Sequence, residues 1–252
     1  MPFVSRTSTE SVKVPFKLFN LEFSLLRNFL DIMPSADLYI LRKHDATIDK
    51  MSCFRGEIVT NLYVISDTVQ PWNRLYESYS KVMSRPVNLT PFDMLEVCMG
   101  PDICPEALLS KMNEKTYRCL QICGQYHWKQ VITFLHTGIN DRVCLYDTLD
   151  LPEEDMEDFF KTLYNFKINK FYFCNKNCTE TWLDAAYKTW SSLIGTALKS
   201  VEVTFDIFFT ITAVANNDTL TTLSMKFSDW EDKKKFVHKK NMLLKDYAKR
   251  KL

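Results

Sequence analysis

Apolar residues recur at helical spacing near the start of the chain. Intervals of three and four residues separate Leu21, Leu25, Leu26, Phe29, Leu30 and Met33. This spacing predicts one face of a helix. Pro34 ends that helix, because the residue before a proline avoids the α region. Ser35 is then expected to cap a second helix over about residues 36–50.

From about residue 54 the pattern changes to short β-like runs that alternate with helical ones. Strands are predicted over residues 59–65, 87–89, 117–123, 143–149, 168–174, 201–205 and 220–227. Helices are predicted over residues 72–83, 91–97, 105–112, 126–136, 152–164 and 179–194. We expect the strands over 168–174 and 201–205 to be parallel neighbours, joined by a right-handed crossover.

The four strands between residues 117 and 205 have their centres roughly 25–30 residues apart, and one helix bridges each pair. A β-α unit with a fixed period is typical of a solenoid or of a parallel sheet backed by helices. The predicted fold class is therefore α/β: an N-terminal helical module, then a β-α repeat domain. That domain is either a degenerate leucine-rich-repeat-like solenoid or an open parallel sheet.

The composition and the apolar pattern along the chain indicate four segments. They are a polar, disordered tail (1–13), a helical module (14–52), an α/β domain (53–229) and a basic C-terminal tail (230–252). A different organisation is also open, in which the helical start is an integral part of a single α/β domain.

Composition excludes several classes of function. Lys plus Arg is 32 and Asp plus Glu is 31, a net charge of +1, so there is no general field for nucleic acid or an anionic membrane. The apolar runs are far shorter than the ~20 residues that span a bilayer. The polar N-terminus lacks the apolar region of a signal peptide, so we expect an intracellular protein, cytoplasmic or nuclear, with reduced cysteines. Only 5 glycines occur, which argues against phosphate-binding loops.

The cysteines are the main candidates for chemistry. Cys98 and Cys104, with Cys119 and Cys123, would supply four thiolates for zinc. The spacings are poor, because Cys119 and Cys123 fall in a predicted strand, where positions four apart are ~13 Å apart. Core filling is the simpler interpretation. No nucleophile motif accompanies the four histidines, so we expect neither enzymatic activity nor a cofactor.

The N-terminal residues carry a resemblance to a known family. The stretch from Pro15 to Leu21 (PFKLFNL), then Leu25-Leu26, Phe29-Leu30, Met33 and Asp37-Leu38, resembles the opening of the nematode-type F-box. Two departures stand out: Glu22 follows Leu21 where the family has a Leu-Pro step, and Arg42-Lys43-His44 follow Leu41. The family's F-box-associated region is an α/β domain, similar to the alternation over residues 117–227.

The resemblance implies an interaction protein that performs no chemistry itself. It would be a substrate receptor that links a protein target to a Skp-cullin-F-box ubiquitin ligase. Its partners would be a Skp-type adaptor and a protein substrate of unknown identity. The residues implied to face the adaptor or form the module's core are Pro15, Leu18, Leu21, Leu25, Phe29, Leu30 and Leu38. The alternative is a non-F-box α/β protein, either a plain binding domain or a cysteine-based zinc protein.

Overall fold

A computed structural model describes residues 21–71, 75–205, 209–226, 241–242 and 245. The chain divides into two compact units, Met1–Phe54 and Arg55–Leu252. The predicted polar tail and most of the predicted basic tail lie outside the described residues, as do Pro15 and Leu18.

Helices make up the described part of the N-terminal unit. They are α1 (Phe23–Ile32), α2 (Ser35–His44) and α3 (Ala46–Met51), followed by a 3-10 turn, Cys53–Arg55. The first helix ends before Pro34, as predicted. The single helix predicted over residues 36–50 is wrong, because Asp45 interrupts it. The Asp45 side chain accepts hydrogen bonds from the backbone N–H groups of Thr47 (2.7 Å) and Ile48 (3.1 Å), and so caps α3.

Arg42 ties α2 to the end of α3. Its Nε donates to the Ser52 hydroxyl at 2.7 Å, and its guanidinium also donates to the Ser52 carbonyl. Ser52 is fully buried, and its hydroxyl donates in turn to the Ile48 carbonyl at 2.6 Å. Among the residues that the structure describes in this unit, the buried apolar side chains are Leu26, Leu30, Met33, Leu38 and Ile48.

A single sheet organises the second unit and confirms the α/β class. Its nine described strands are β1 (Glu57–Ile65), β2 (Glu77–Ser78), β3 (Leu89–Met99), β4 (Cys119–His127), β5 (Arg142–Asp150), β6 (Lys170–Asn175), β7 (Leu198–Phe205), β8 (Phe209–Ala215) and β9 (Leu220–Met225). They lie in the order β2-β1-β3-β4-β5-β6-β9-β8-β7. The strands from β2 to β9 in this order pair in parallel, and β9, β8 and β7 pair antiparallel.

Five helices described between residues 79 and 192 pack on one face of the sheet. They are α4 (Tyr79–Met83), α5 (Pro105–Ser110), α6 (Trp128–Phe134), α7 (Met156–Asn165) and α8 (Glu180–Ser192). Alternate strand residues share one hydrophobic core with them, as Leu120 and Ile122 of β4 and Phe171 and Phe173 of β6 illustrate. Successive side chains of a strand point to opposite faces. The intervening residues therefore form a second face, which we call the cysteine face because Cys98, Cys119, Cys123, Cys144 and Cys174 lie on it.

Hydrogen bonds from side chains link successive strands within the sheet. Gly124 adopts a left-handed backbone, with φ +87°, and so does Asp147 one strand further on, with φ +59°. The Asp147 carboxylate accepts a hydrogen bond from the Gly124 backbone N–H at 2.9 Å. On the next strand, the Asn175 amide donates to the Tyr146 carbonyl at 3.4 Å. Each strand thus reaches back to its predecessor at the same level of the sheet.

Two predicted helices of this unit differ from the structure. The described part of the segment 72–83 forms β2 and the five-residue α4. The helix predicted over 91–97 is wrong, because these residues belong to β3, which β1 and β4 flank and hydrogen-bond. Pro91 led to that prediction, yet it lies beside a register shift opposite Val59 and Asn61, where a strand tolerates proline.

The expected pairing of the strands over 168–174 and 201–205 is also wrong. The parallel neighbour of β6 is β9, so β9 and β8 separate β6 from β7. Antiparallel pairing between chain neighbours β7, β8 and β9 accounts for this, since it needs only short connections. The sequence did not reveal β8. The packing of α8 on the sheet is confirmed, because Trp182, Ala186 and Trp190 share the core with Val201.

Candidate functional site

An apolar stripe is exposed along α1 of the N-terminal unit. Its members are Leu25, Phe29 and Ile32, which are 53%, 39% and 79% exposed. Spacings of four and three residues place them on one side of the helix. A neighbouring strip of the same helix, with Leu26 and Leu30, is buried. We call the exposed side chains the α1 stripe.

The predicted partner-facing residues divide into three groups. Pro15 and Leu18 lie outside the described residues. Leu25 and Phe29 are exposed, whereas Leu30 and Leu38 are fully buried and form the core of the unit. Leu21 is half-buried.

The sequence analysis did not identify Ile32 as a partner-facing residue, although it is the most exposed member of the stripe. It stands seven residues after Leu25, so the helical repeat alone could have identified it. Phe23 is also exposed (67%), but the helical repeat places it on the opposite side of α1. It therefore serves as a comparison residue within the same helix.

On the second unit, the cysteine face brings two thiols together. Cys98 of β3 and Cys123 of β4 are direct partners in the parallel register. Both are buried and pack with Ile65, with Val69, Tyr76 and Tyr146 against them.

Tyrosines surround this thiol pair. The Tyr76 hydroxyl donates to the Glu96 carboxylate, and the Tyr76 ring meets Tyr63 edge-on with ring centroids 5.7 Å apart. Burial, followed by the hydrogen bond to Glu96, raises the pKa of Tyr76. The phenol therefore stays protonated and holds its position over the sheet at neutral pH.

The environment of the thiols controls their ionisation. Burial raises the pKa of Cys144 to about 11 and also raises the pKa of Cys119 and Cys178. Interaction with Cys123 lowers the pKa of Cys98, whereas interaction with Cys98 and burial raise the pKa of Cys123. Cys98 is thus the member of the pair that ionises first.

The zinc alternative finds no support in the geometry. Within the described ranges, no group of three or more His, Cys, Asp or Glu side chains is placed to hold a metal ion. Cys119 and Cys123 do lie in one strand, as predicted. Cys98 is buried in β3, whereas Cys104 is exposed at the start of α5. Sequence reasoning missed the proximity of Cys98 to Cys123, because it arises from pairing between strands.

The two histidines on the segment predicted as one helix have structural roles. His127 caps α6, where its ring accepts from the Lys129 backbone N–H at 3.2 Å. His136 lies edge-on to Tyr117, with ring centroids 4.5 Å apart. Burial, with a smaller effect from Lys115, lowers the pKa of His136 to about 4.

None of the helices in the described residues is long and apolar enough to cross a membrane. Comparisons of the chain with protein-family models, with curated proteins and with solved structures gave no match.

Proposed function

We propose that the chain is a protein-interaction module, in which the N-terminal helices bind a Skp-type adaptor and the α/β unit receives a protein substrate for ubiquitin transfer. The exposed α1 stripe carries this proposal. It adds to the F-box resemblance of the segment, in which Leu25 and Phe29 of the stripe take part.

The exposure of the α1 stripe supports a binding role. A short helix needs one buried strip to pack in its own unit, and Leu26 and Leu30 provide it. The second strip of Leu25, Phe29 and Ile32 keeps large apolar side chains in water. Contiguous exposed apolar surface of this kind is typical of interaction sites.

The architecture of the α/β unit supports the receptor role. Strands β1, β3, β4, β5 and β6 are neighbours in chain order, and the helices lie on one face. One-sided winding of this kind is the arrangement of a solenoid of β-α repeats, which leaves the other face for binding. We assign substrate contact to the cysteine face, with half-buried Tyr63, Gln121 and Tyr172 on it.

Co-purification with a Skp-type adaptor tests the proposal. We expect the full chain to retain the adaptor, and a Leu25→Asp/Phe29→Asp variant to lose it. Because both side chains are exposed, the variant should fold, and an unchanged melting temperature checks this. A Phe23→Asp variant is the matched control, since it puts the same charge on the opposite side of α1 and should bind as the wild type does.

Absence of adaptor binding by the unmodified chain would contradict the adaptor assignment. Equal loss of binding in the Phe23→Asp variant would show that the α1 stripe has no specific part in it.

A further inference from the structure

Cys98 and Cys123 are placed at the separation that a disulfide requires. They are register partners on neighbouring parallel strands, and such strands lie ~4.8 Å apart. Disulfides join Cα atoms that are ~4.4–6.8 Å apart. Both side chains belong to the cysteine face and pack in one buried cluster, in which the Cys123 thiol donates to the Val97 carbonyl at 3.7 Å. Both cysteines are free.

We propose that Cys98 and Cys123 form a reversible redox site, in which a hydroperoxide such as hydrogen peroxide oxidises the pair to a cross-strand disulfide. The proposal does not depend on adaptor binding, because it concerns only side chains of the α/β unit.

The chemistry balances in two steps. The Cys98 thiolate attacks one peroxide oxygen, the O–O bond breaks, and a sulfenic acid forms as hydroxide leaves and takes up a proton to give water. The Cys123 sulfur then attacks the Cys98 sulfur, the S–O bond breaks, and a second water carries away the hydroxyl and the Cys123 proton. Two thiols lose two electrons and two protons in total, and one peroxide is reduced to two waters.

The other thiols of this face lack such a partner. In the described strands, the register places Cys119 beside Met94 and Arg142, and Cys144 beside Gln121 and Tyr172. Within these strands, the register brings Cys98 beside Cys123 and pairs no other two cysteines. The direction of the pKa shifts agrees with the roles, since the pKa of Cys98 is lowered and that of Cys144 is raised.

Tyr76 and Val69 restrict access to the pair. Cys98 and Cys123 are 3% and 7% exposed, and both of these side chains pack against them. Reaction with peroxide therefore requires the cover to open, so removal of the Tyr76 ring should accelerate it. This distinguishes the pair from Cys53 and Cys104, which are exposed.

Peptide mapping after peroxide treatment tests the proposal on the full chain. Trypsin leaves Cys98 on the peptide 82–111, together with Cys104, and Cys123 on the peptide 119–129, together with Cys119. We expect these two peptides to become linked, and dithiothreitol to release them. A Cys104→Ser/Cys119→Ser variant keeps the proposed pair. It should therefore give the linked peptides in a yield within about twofold of the wild-type yield.

Loss of the link in that variant would assign the bridge to another pair and overturn the proposal, as would the absence of any link in the wild type. Fragmentation of the linked wild-type peptides locates the bridge without any variant, should a substitution impair folding. Cys144→Ser is the matched control and should leave the yield unchanged. Tyr76→Ala should raise the rate of linkage several-fold, and an unchanged rate would contradict the covering role of Tyr76.

Discussion

The Asp147 carboxylate accepts a 2.9 Å hydrogen bond from the backbone N–H of Gly124, one strand away in the sheet. Gly124 is left-handed, and a Cβ at this position would collide with the Met99 carbonyl oxygen. The pair therefore fixes the position of β4 relative to β3 and β5 at this point of the sheet.

Substitution of Gly124 by Ala should destabilise the α/β unit by two additive effects. The left-handed backbone costs about 1–2 kcal/mol for a residue with a Cβ, and the collision with Met99 adds about 1–3 kcal/mol. Gly195→Ala is the matched control, because Gly195 has a similar φ of +83° but open space around its Cβ position. Urea denaturation should show the larger loss for Gly124→Ala, and equal losses would mean that the collision is relieved.

Removal of the Trp190 ring should destabilise the same unit strongly. Trp190 is fully buried, and its indole N–H donates to the Phe160 carbonyl at 3.1 Å. We expect Trp190→Ala to lower the free energy of unfolding by about 3–5 kcal/mol. Lys188→Ala on the exposed side of α8 should change it little. A melting temperature unaltered by Trp190→Ala would refute the packing of α8 on the sheet.

The hydrogen bonds from Arg42 to Ser52 should stabilise the helix α3. A lysine at this position keeps the charge but cannot reproduce the guanidinium contacts with the Ser52 hydroxyl and carbonyl. We expect Arg42→Lys to weaken α3 by about 1–2 kcal/mol, seen as faster hydrogen exchange of its amides. Exchange in the α/β unit should stay constant, and Lys50→Ala on the exposed side of α3 should have no comparable effect.

His136 should make the stability depend on pH under mildly acidic conditions. Its pKa in the folded chain is about 4, below the ordinary 6.5. As the pH falls from 6.5 towards 4, the unfolded chain takes up a proton at this histidine and the folded chain does not, so stability declines. Partial exposure limits the effect to about 1–2 kcal/mol.

A His136→Gln variant should reduce that decline when unfolding free energies are compared at pH 7 and pH 4.5. Identical slopes for wild type and His136→Gln would mean that this histidine protonates equally in both states.

The sequence predicted those elements whose pattern is local. The helix α7 shows this, since Met156, Phe159, Phe160 and Leu163 recur at helical spacing and are all buried. The residues 91–97 show the opposite, because pairing with β1 and β4 makes them a strand and no pattern within them indicates it. Long-range pairing overrides local propensity in such cases.

The same distinction applies to the candidate sites. The α1 stripe follows from the helical repeat, although the sequence could not show which of the two apolar strips would be buried. The contact between Cys98 and Cys123 could not be predicted, because 24 residues separate them in the sequence and only the register of two parallel strands joins them. Sequence spacing instead drew attention to Cys119 with Cys123, which one extended strand keeps apart.

The chain-order arrangement of β3 to β6 has an evolutionary consequence. Within this run each strand pairs with the next one along the chain, and residues facing the helices alternate with residues facing away. A mutation of Gln121 or Tyr172 changes what the cysteine face displays and leaves Leu120 and Phe171 in place against the helices. Single substitutions in descendants of this chain can therefore diversify the cysteine face while the residues that pack against the helices are kept.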